Sequence, residues 1–456
     1  MHNNEIHVGL DIGTSMIKVI VAETQNGQTN VIGIGSVKSK GVKRGVIVDI
    51  NETANAIKEA VDQAAMKANI QITEVVVGLP ANQLKIEQVH GLSAITSQDK
   101  RISNDDVKEV ARQALIQNLP PEREIIDLSP TEFIVDGFDS IKDPVDMVGV
   151  RLEMRGIAFT GPKTIIHNVK MAVEKAGFNL REFVIIPLAI GRAILSDGEQ
   201  NFGTVLIDVG AGQTTVAVIH DYQLKFATVD QEGGNYITKD VSTVLNTSYS
   251  SAEKIKRDYG YADSLLASEN NEIQIPVVGK EQPVKITEKY LSEIIEARVD
   301  QIFARIFKML QPIGALDMPG GIVLTGGSAN LAEISKFVQQ MFGMNVKIGM
   351  PNQIGLKNPA VTAGYAIVKF AAEQTMTERV VKEVVFGTQI QQTQQDNIYS
   401  ENKKRGLGRR TYDKFDETDT EEIIDNSFEE DEGIFKNDPK KKITDRVKQI
   451  FNSFFD

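Results

Sequence analysis

Apolar and polar positions alternate at the head of the chain. Ile6-His7-Val8-Gly9-Leu10-Asp11-Ile12-Gly13 reads as an apolar strand ending in Asp-x-Gly, and a second alternating strand follows over 16–22. The pattern returns 197 positions later as Thr204-Val205-Leu206-Ile207-Asp208-Val209-Gly210, followed by a strand over 214–219. Each copy reads as strand, glycine turn, strand, which is a β-hairpin. A single Asp-x-Gly after a strand is ordinary turn chemistry. Two copies on matching hairpins predict two similar halves, each opened by the same phosphate-sized corner.

Between and beyond the copies, helical and extended periods alternate. Helices are predicted over 53–68, 103–117 (Ser103 as cap, Asp105 and Asp106 in the first turn), 164–176, 288–310 and 329–341. Strands are predicted over 74–78, 183–186 and 321–324. The mixture predicts an α/β architecture with inserted subdomains. After about Gln374 the pattern fades. The stretch 389–395 is glutamine-rich, and 411–438 carries twelve acidic residues against Lys414 and Lys436. Such a segment buries too little apolar area to offset its ordering entropy, so a disordered acidic linker is expected over 376–439.

The last seventeen residues regain a helical period. After Lys440, Lys441 and Lys442, the apolar positions Ile443, Val447, Ile450, Phe451, Phe454 and Phe455 step by 4, 3, 1, 3 and 1. Arg446 and Lys448 lie off that stripe. The segment is too short to span a bilayer, and its polarity suits a helix lying in the interface plane of an anionic membrane. Docking onto a partner is the competing reading of the same stripe.

Composition narrows the function. Apolar residues make up 41% and charged residues 25%, as in soluble globular proteins. The net charge of −12 argues against a general nucleic-acid binder. Cysteine is absent, which removes disulfides, thiolate metal sites and a cysteine nucleophile. The five histidines show no ligand spacing. Residues 1–10 carry Glu5 and no apolar core, so no signal peptide is expected.

The candidate chemistry sits on the two corners. Gly13 lets the backbone approach a phosphate, Thr14 and Ser15 add hydroxyl donors, and Lys18 can neutralise charge. Asp11 suits water held on Mg²⁺. Asp208, Gly210, Ala211, Gly212, Gln213, Thr214 and Thr215 repeat that logic in the second half. A third piece, Thr325-Gly326-Gly327-Ser328-Ala329-Asn330, could let a ring or ribose lie on backbone, or could be a plain turn with Ser328 as N-cap. A fourth, Glu253 with Lys256 and Arg257, could grip a nucleoside from a lid; equally, Ser250-Ser251-Ala252-Glu253 could be a capping box. Gly156 to Thr164 nearly matches a P-loop. Pro162 removes a needed donor, so this reads as a strand running into a turn and a helix starting near Lys163.

Asp11-Ile-Gly-Thr, Asp208-Val-Gly-Ala-Gly, Thr325-Gly-Gly and Pro187-Leu-Ala-Ile-Gly-Arg-Ala resemble the phosphate, adenosine and connecting motifs of the actin, Hsp70 and sugar-kinase superfamily. Within it, Glu232-Gly-Gly-Asn-Tyr-Ile-Thr-Lys-Asp240 and Ala252-Glu-Lys-Ile-Lys-Arg257 are similar to the FtsA family of bacterial cell-division proteins, as is the layout.

The resemblance implies an actin-like two-lobed α/β fold. Its first lobe would be 1–83 with 163–197, carrying an inserted α+β interaction subdomain at 84–162. The second would be 198–229 with 312–375, and a lid would occupy 230–311. It implies ATP and Mg²⁺ as ligands, with Asp11 and Asp208 reaching the metal through water. Gly233, Gly234, Glu253, Lys256, Arg257, Gly326, Gly327 and Ser328 would face the nucleoside. The partners implied are the C-terminal peptide of the tubulin-like FtsZ through 230–311, further division proteins through 84–162, copies of the chain in filaments, and anionic lipid. The implied place is the inner face of the cell membrane at the division site. Hydrolysing relatives often put Glu or Gln before the connecting helix, where this chain has Ile186, so slow or absent turnover is expected. A pilus-assembly adaptor and a small-molecule kinase of the same fold are the rival functions.

Overall fold

The computed structural model describes residues 5–25, 27–116 and 119–385. The expected tail helix and most of the expected linker lie outside them.

The chain opens with a meander of β1 (Glu5–Ile12), β2 (Met16–Gln25) and β3 (Gln28–Lys38). A small hairpin, β4 (Val42–Lys43) and β5 (Val46–Ile47), leads to α1 (Ile50–Ala68). Asp49 caps α1 by accepting from the N–H groups of Asn51 and Glu52, and Asn69 closes it in the left-handed conformation. Then come β6 (Glu74–Leu79), β7 (Lys85–Ala94), α2 (Asn104–Ala114), β8 (Arg123–Val135), β9 (Phe138–Ile141) and β10 (Arg151–Pro162). Ser103 and Asp106 form a reciprocal capping box on α2. The α3 helix (Lys163–Lys175) starts directly after Pro162, so the P-loop-like stretch is indeed strand end and helix start. Next are β11 (Asn179–Ile185), α4 (Ile186–Ile194) and α5 (Asp197–Phe202).

The second half repeats the plan. It contains β12 (Thr204–Val209), β13 (Thr214–His220), β14 (Gln223–Asp230), α6 (Gly234–Val244), α7 (Tyr249–Tyr259), the hairpin β15 (Glu272–Ile275) and β16 (Val284–Thr287), and α8 (Glu288–Leu310). The half closes with β17 (Ile322–Thr325), α9 (Ile334–Phe342), β18 (Val346–Ile348) and α10 (Thr362–Ala372).

Two five-stranded sheets share one topology, β11-β6-β1-β2-β3 and β18-β17-β12-β13-β14. In each, the first strand pairs antiparallel with its hairpin partner and parallel with a later strand. The repeat read from the two Asp-x-Gly hairpins is therefore a repeat of whole half-domains. The α4 and α10 helices follow the outer strands of their sheets and pack on each other. Ile190 of α4 is fully buried, in a core shared with Leu206, Ala217 and Ile219 of the second sheet. A side chain of that size contributes roughly 1.5–3 kcal/mol by leaving water.

The inserted unit is a separate four-stranded sheet, β7-β10-β8-β9, backed by α2. Its core is completed from the far end of the chain: Val380, Val381, Val384 and Val385, on a helix over 376–385, pack among Val107, Val110, Leu128 and Phe133. This corrects the expected linker boundary, since its first ten residues are folded. The valines recur at one helical face, a signal hidden by the charged residues between them.

The same helix is bolted down by charge. Lys382 lies 3.2 Å from both Asp127 of the insert and Glu182 of the lobe. Arg379 forks onto Glu5 at 3.0 and 2.9 Å. Burial works against the Lys382 charge, but Asp127 and Glu182 outweigh it and hold the ammonium above its ordinary value. Burial pushes the Asp127 carboxyl up.

Two helices differ from expectation. The helix expected over 329–341 is broken into a 3-10 turn, Gly327–Asn330, and α9. Ala332 bridges to Tyr261 and Glu333 turns left-handed (φ 62°), so the chain cannot stay helical between them. The capping-box reading of 250–253 also fails: α7 starts two residues earlier, with Ser248 accepting from the N–H of Ser251. Among the described residues no helix is long and apolar enough to cross a membrane.

Candidate functional site

The two Asp-x-Gly corners are built alike. In the first, Asp11 pairs with Lys18 across the β1–β2 hairpin; in the second, Asp208 pairs with Thr215 across β12–β13. A side-chain carbon on Gly13 would lie 2.7 Å from the carbonyl oxygen of Met16, and one on Gly210 would lie 2.8 Å from that of Gln213. Any larger residue would open either turn. Among the described residues, the N–H groups of Thr14, Ser15, Ala211 and Gly212 find no acceptor in the protein. Successive unpaired N–H groups in a glycine turn form an anion cradle.

The corners meet. Gly212 is packed on Thr14, where an added side-chain carbon would lie 2.7 Å from the Thr14 hydroxyl oxygen. Ser15 donates to Asn235 on α6 at 3.3 Å. Asp11 and Asp208 face the same space. Burial, then the nearby Asp11 charge, raises the Asp208 carboxyl to about 6, with Lys18 opposing. Lys18 lies 3.6 Å from Asp11. The group can therefore hold a polyphosphate on backbone donors and Lys18, with a cation between two carboxylates. No cluster of three or more metal-ligand side chains occurs among the described residues, so such a cation would keep other ligands.

The third piece reaches the same place. Gly326 has φ 90°, and a side-chain carbon there would strike Asp208 Oδ1 at 2.2 Å. Only glycine closes this approach. Gly327 is exposed, and a side-chain carbon there would meet only Ala360 Cβ, at 3.9 Å. Ser328 is no helix cap; it donates to the carbonyl of Gly210 at 3.2 Å and so braces the second corner. Gly233, the N-cap of α6, is packed on the carbonyl of Gly210. The N–H groups of Gly234 and Asn235 are taken by the carbonyls of Gly210 and Ala211 at 2.9 and 2.8 Å. The start of α6 thus shapes the corner and leaves those two donors engaged.

Three expected ligands turn inward. Thr214 is fully buried and donates to the carbonyl of Glu232 at 2.8 Å. Lys256 donates to Glu253 at 2.6 Å, Thr238 at 2.8 Å and the carbonyl of Gly234 at 3.1 Å. Burial lowers its ammonium below the usual lysine range. Glu253 also accepts from Thr238, so this pair ties α7 to the first turn of α6. Arg257 stays exposed. The Gln213 amide is engaged by Asn82.

Several site-shaping residues escaped the sequence reading. Arg44 donates to the Tyr236 hydroxyl at 2.9 Å and stacks over its ring, and Arg298 approaches the same ring. Arg298 is buried and charge-paired with Asp240 and Glu232. Beside Asp208 the wall is Ile186, Pro187, Ile190, Leu206, Thr215 and Ala217, which holds no carboxylate or amide besides Asp208 itself.

Comparison with known proteins agrees with this geometry. The family model for cell division protein FtsA matches residues 205–366, and that for the SHS2 domain inserted in FtsA matches 81–160. Cell division protein FtsA of Enterococcus hirae is 46% identical over 456 residues, covering 100% of both chains. That of Bacillus subtilis is 42% identical over 371 residues, 81% of this chain and 84% of its own. Among solved structures, the PilM-PilN type IV pilus biogenesis complex is similar at TM-score 0.56 and 15% identity, covering 81% of this chain and 99% of that one. MreB5 of Spiroplasma citri bound to ADP is similar at TM-score 0.52 and 14% identity, covering 82% and 98%. These two establish the actin-like fold, and the full-length likeness carries the rest. The chain belongs to the FtsA family of cell division proteins.

Proposed function

We propose that this protein binds Mg²⁺·ATP between its two glycine corners and acts as an actin-like tether holding the FtsZ ring to the inner face of the cell membrane. The observation that carries the nucleotide part is the contact of the two corners, with the N–H groups of Thr14, Ser15, Ala211 and Gly212 left unpaired. Polyphosphate would accept from those groups and pair with Lys18, and Asp11 and Asp208 would be the carboxylates that hold Mg²⁺. Gly233, Gly326, Gly327 and Ser328 line the nucleoside end, and Arg257 is free to close over it. When bound, Mg²⁺ neutralises phosphate charge. The wall beside Asp208 carries Ile186 and other apolar groups with the Thr215 hydroxyl, and no Glu or Gln to orient an attacking water. The nucleotide therefore serves mainly as a ligand that stabilises the closed form by mass action.

The lid at 230–311 receives the FtsZ C-terminal peptide, the insert at 84–162 contacts further division proteins and other copies in a filament, and 440–456 binds anionic lipid. The deciding experiment is calorimetry of Mg²⁺·ATP binding to the full chain. Micromolar affinity lost in Gly326→Ala supports the site, and no uptake refutes it. Co-sedimentation with FtsZ and anionic vesicles, with and without 440–456, tests the tether.

A further inference from the structure

The first lobe and the insert meet at the turn between β6 and β7, and one side chain of that turn reaches into the nucleotide site. Asn82 is buried. Its Nδ2 donates to Gln213 Oε1 at 3.1 Å and to the carbonyl of Arg44 at 3.3 Å, while Gln213 Nε2 donates back to Asn82 Oδ1 at 3.1 Å. Two side-chain amides thus form a reciprocal pair joining the root of the insert to the second phosphate corner.

The β4–β5 hairpin completes the junction. The N–H of Gly45 donates to the Thr14 hydroxyl of the first corner at 3.0 Å. Gly45 itself (φ 70°) lies against the Gln213 amide, where a side-chain carbon would sit 2.4 Å from Oε1. Arg44, held left-handed at φ 48°, reaches Tyr236 on α6. Gln83, the next residue of the insert root, is also left-handed (φ 55°), and its carbonyl accepts from the buried Arg123 at 3.0 Å. Arg123 in turn holds the Thr160 carbonyl at 2.6 Å, on the strand by which the chain leaves the insert. One run of hydrogen bonds therefore links the second corner, both crossings into the insert and the first corner.

We infer that Asn82 is a positioning residue of the nucleotide cleft, which holds the Gln213 corner against the first lobe and makes the root of the insert move with it. Rearrangement of either corner around phosphate must keep or break the amide pair. The amide pair is two neutral hydrogen bonds, and because Asn82 is buried, opening it is tolerated only where water enters the cleft to replace Gln213. The inference rests on the nucleotide reading above, and the test separates the two.

Asn82→Ala, Gln213→Ala and the double variant are compared in the full chain by calorimetry with Mg²⁺·ATP, and by hydrogen exchange of 79–85 and 158–163 with and without saturating nucleotide. Unliganded thermal unfolding checks that each variant is folded. The expected result is about tenfold weaker binding in each single variant and little further loss in the double, since both remove one interaction. Nucleotide-dependent protection of 79–85 should vanish in Asn82→Ala even at saturation. Parent-like affinity together with parent-like protection in a folded Asn82→Ala overturns the inference and leaves the nucleotide site intact. Failure of the parent chain to bind Mg²⁺·ATP overturns the functional reading itself. A purely structural role would lower unfolding temperature in Asn82→Ala and leave the nucleotide-dependent protection in place, which also refutes the inference.

Discussion

Replacing Asp208 with asparagine removes a charge at nearly constant volume from the point where both corners face each other. Burial and the Asp11 carboxylate raise the Asp208 carboxyl from 3.8 to about 6 in the folded protein. The sign follows from proton binding. Below about pH 4 the group is protonated in both folded and unfolded chains and adds no penalty. Between about pH 4 and 6 the unfolded chain gives up the proton while the native state keeps it, so stability falls as pH rises. Above about pH 6 the penalty is complete, and at 1.36 kcal/mol per pH unit it reaches about 3 kcal/mol as an upper bound. Asp208→Asn should therefore match the parent near pH 4 and exceed it by about 1–3 kcal/mol near pH 7.5.

Urea unfolding followed by circular dichroism across that pH range measures the gap, and hydrogen exchange of β12 locates it. Mg²⁺·ATP should reverse the ranking. A bound divalent cation favours the ionised carboxylate, so only the parent gains the full ligand stabilisation, and at pH 6 its binding should release protons that Asp208→Asn does not. A stability gap that does not change with pH would refute the electrostatic reasoning. Equal nucleotide binding by the two proteins would remove Asp208 from the site.

Three further outcomes follow from particular contacts. Lys382→Met leaves Asp127 and Glu182 buried without their cation and should destabilise the insert by about 3–5 kcal/mol, seen as faster exchange in α2 and β8. Adding Asp127→Asn and Glu182→Gln should recover much of that loss; no recovery would mean that packing, not charge, anchors the helix. Gly326→Ala forces a left-handed alanine and a clash with Asp208, so it should cost at least about 1 kcal/mol and abolish detectable Mg²⁺·ATP binding by calorimetry. Deleting 440–456 should end sedimentation with anionic vesicles while the thermal unfolding of the rest of the chain stays unchanged, and undiminished sedimentation would place the membrane contact elsewhere.

The hairpin corners, the repeat and most helices were legible because each depends on neighbours in sequence. An Asp-x-Gly turn declares itself through glycine's reach, and α8 through apolar residues such as Leu291, Ile295, Ile302 and Ile306 at helical spacing. Those local rules determined the α/β class and two similar halves. What they could not determine was where each side chain's hydrogen bonds go. Thr214 and Lys256 look like ligands in sequence, yet both turn inward to satisfy buried carbonyls. Asn82 carries no motif, since its partner Gln213 lies 131 residues away. The valines of 380–385 looked like part of a polar tail until the insert's open core was seen to need them. Contacts of that kind are chosen by the packing of whole layers. A buried polar group takes whichever partner the fold brings within reach, and only the assembled lobes decide which one that is.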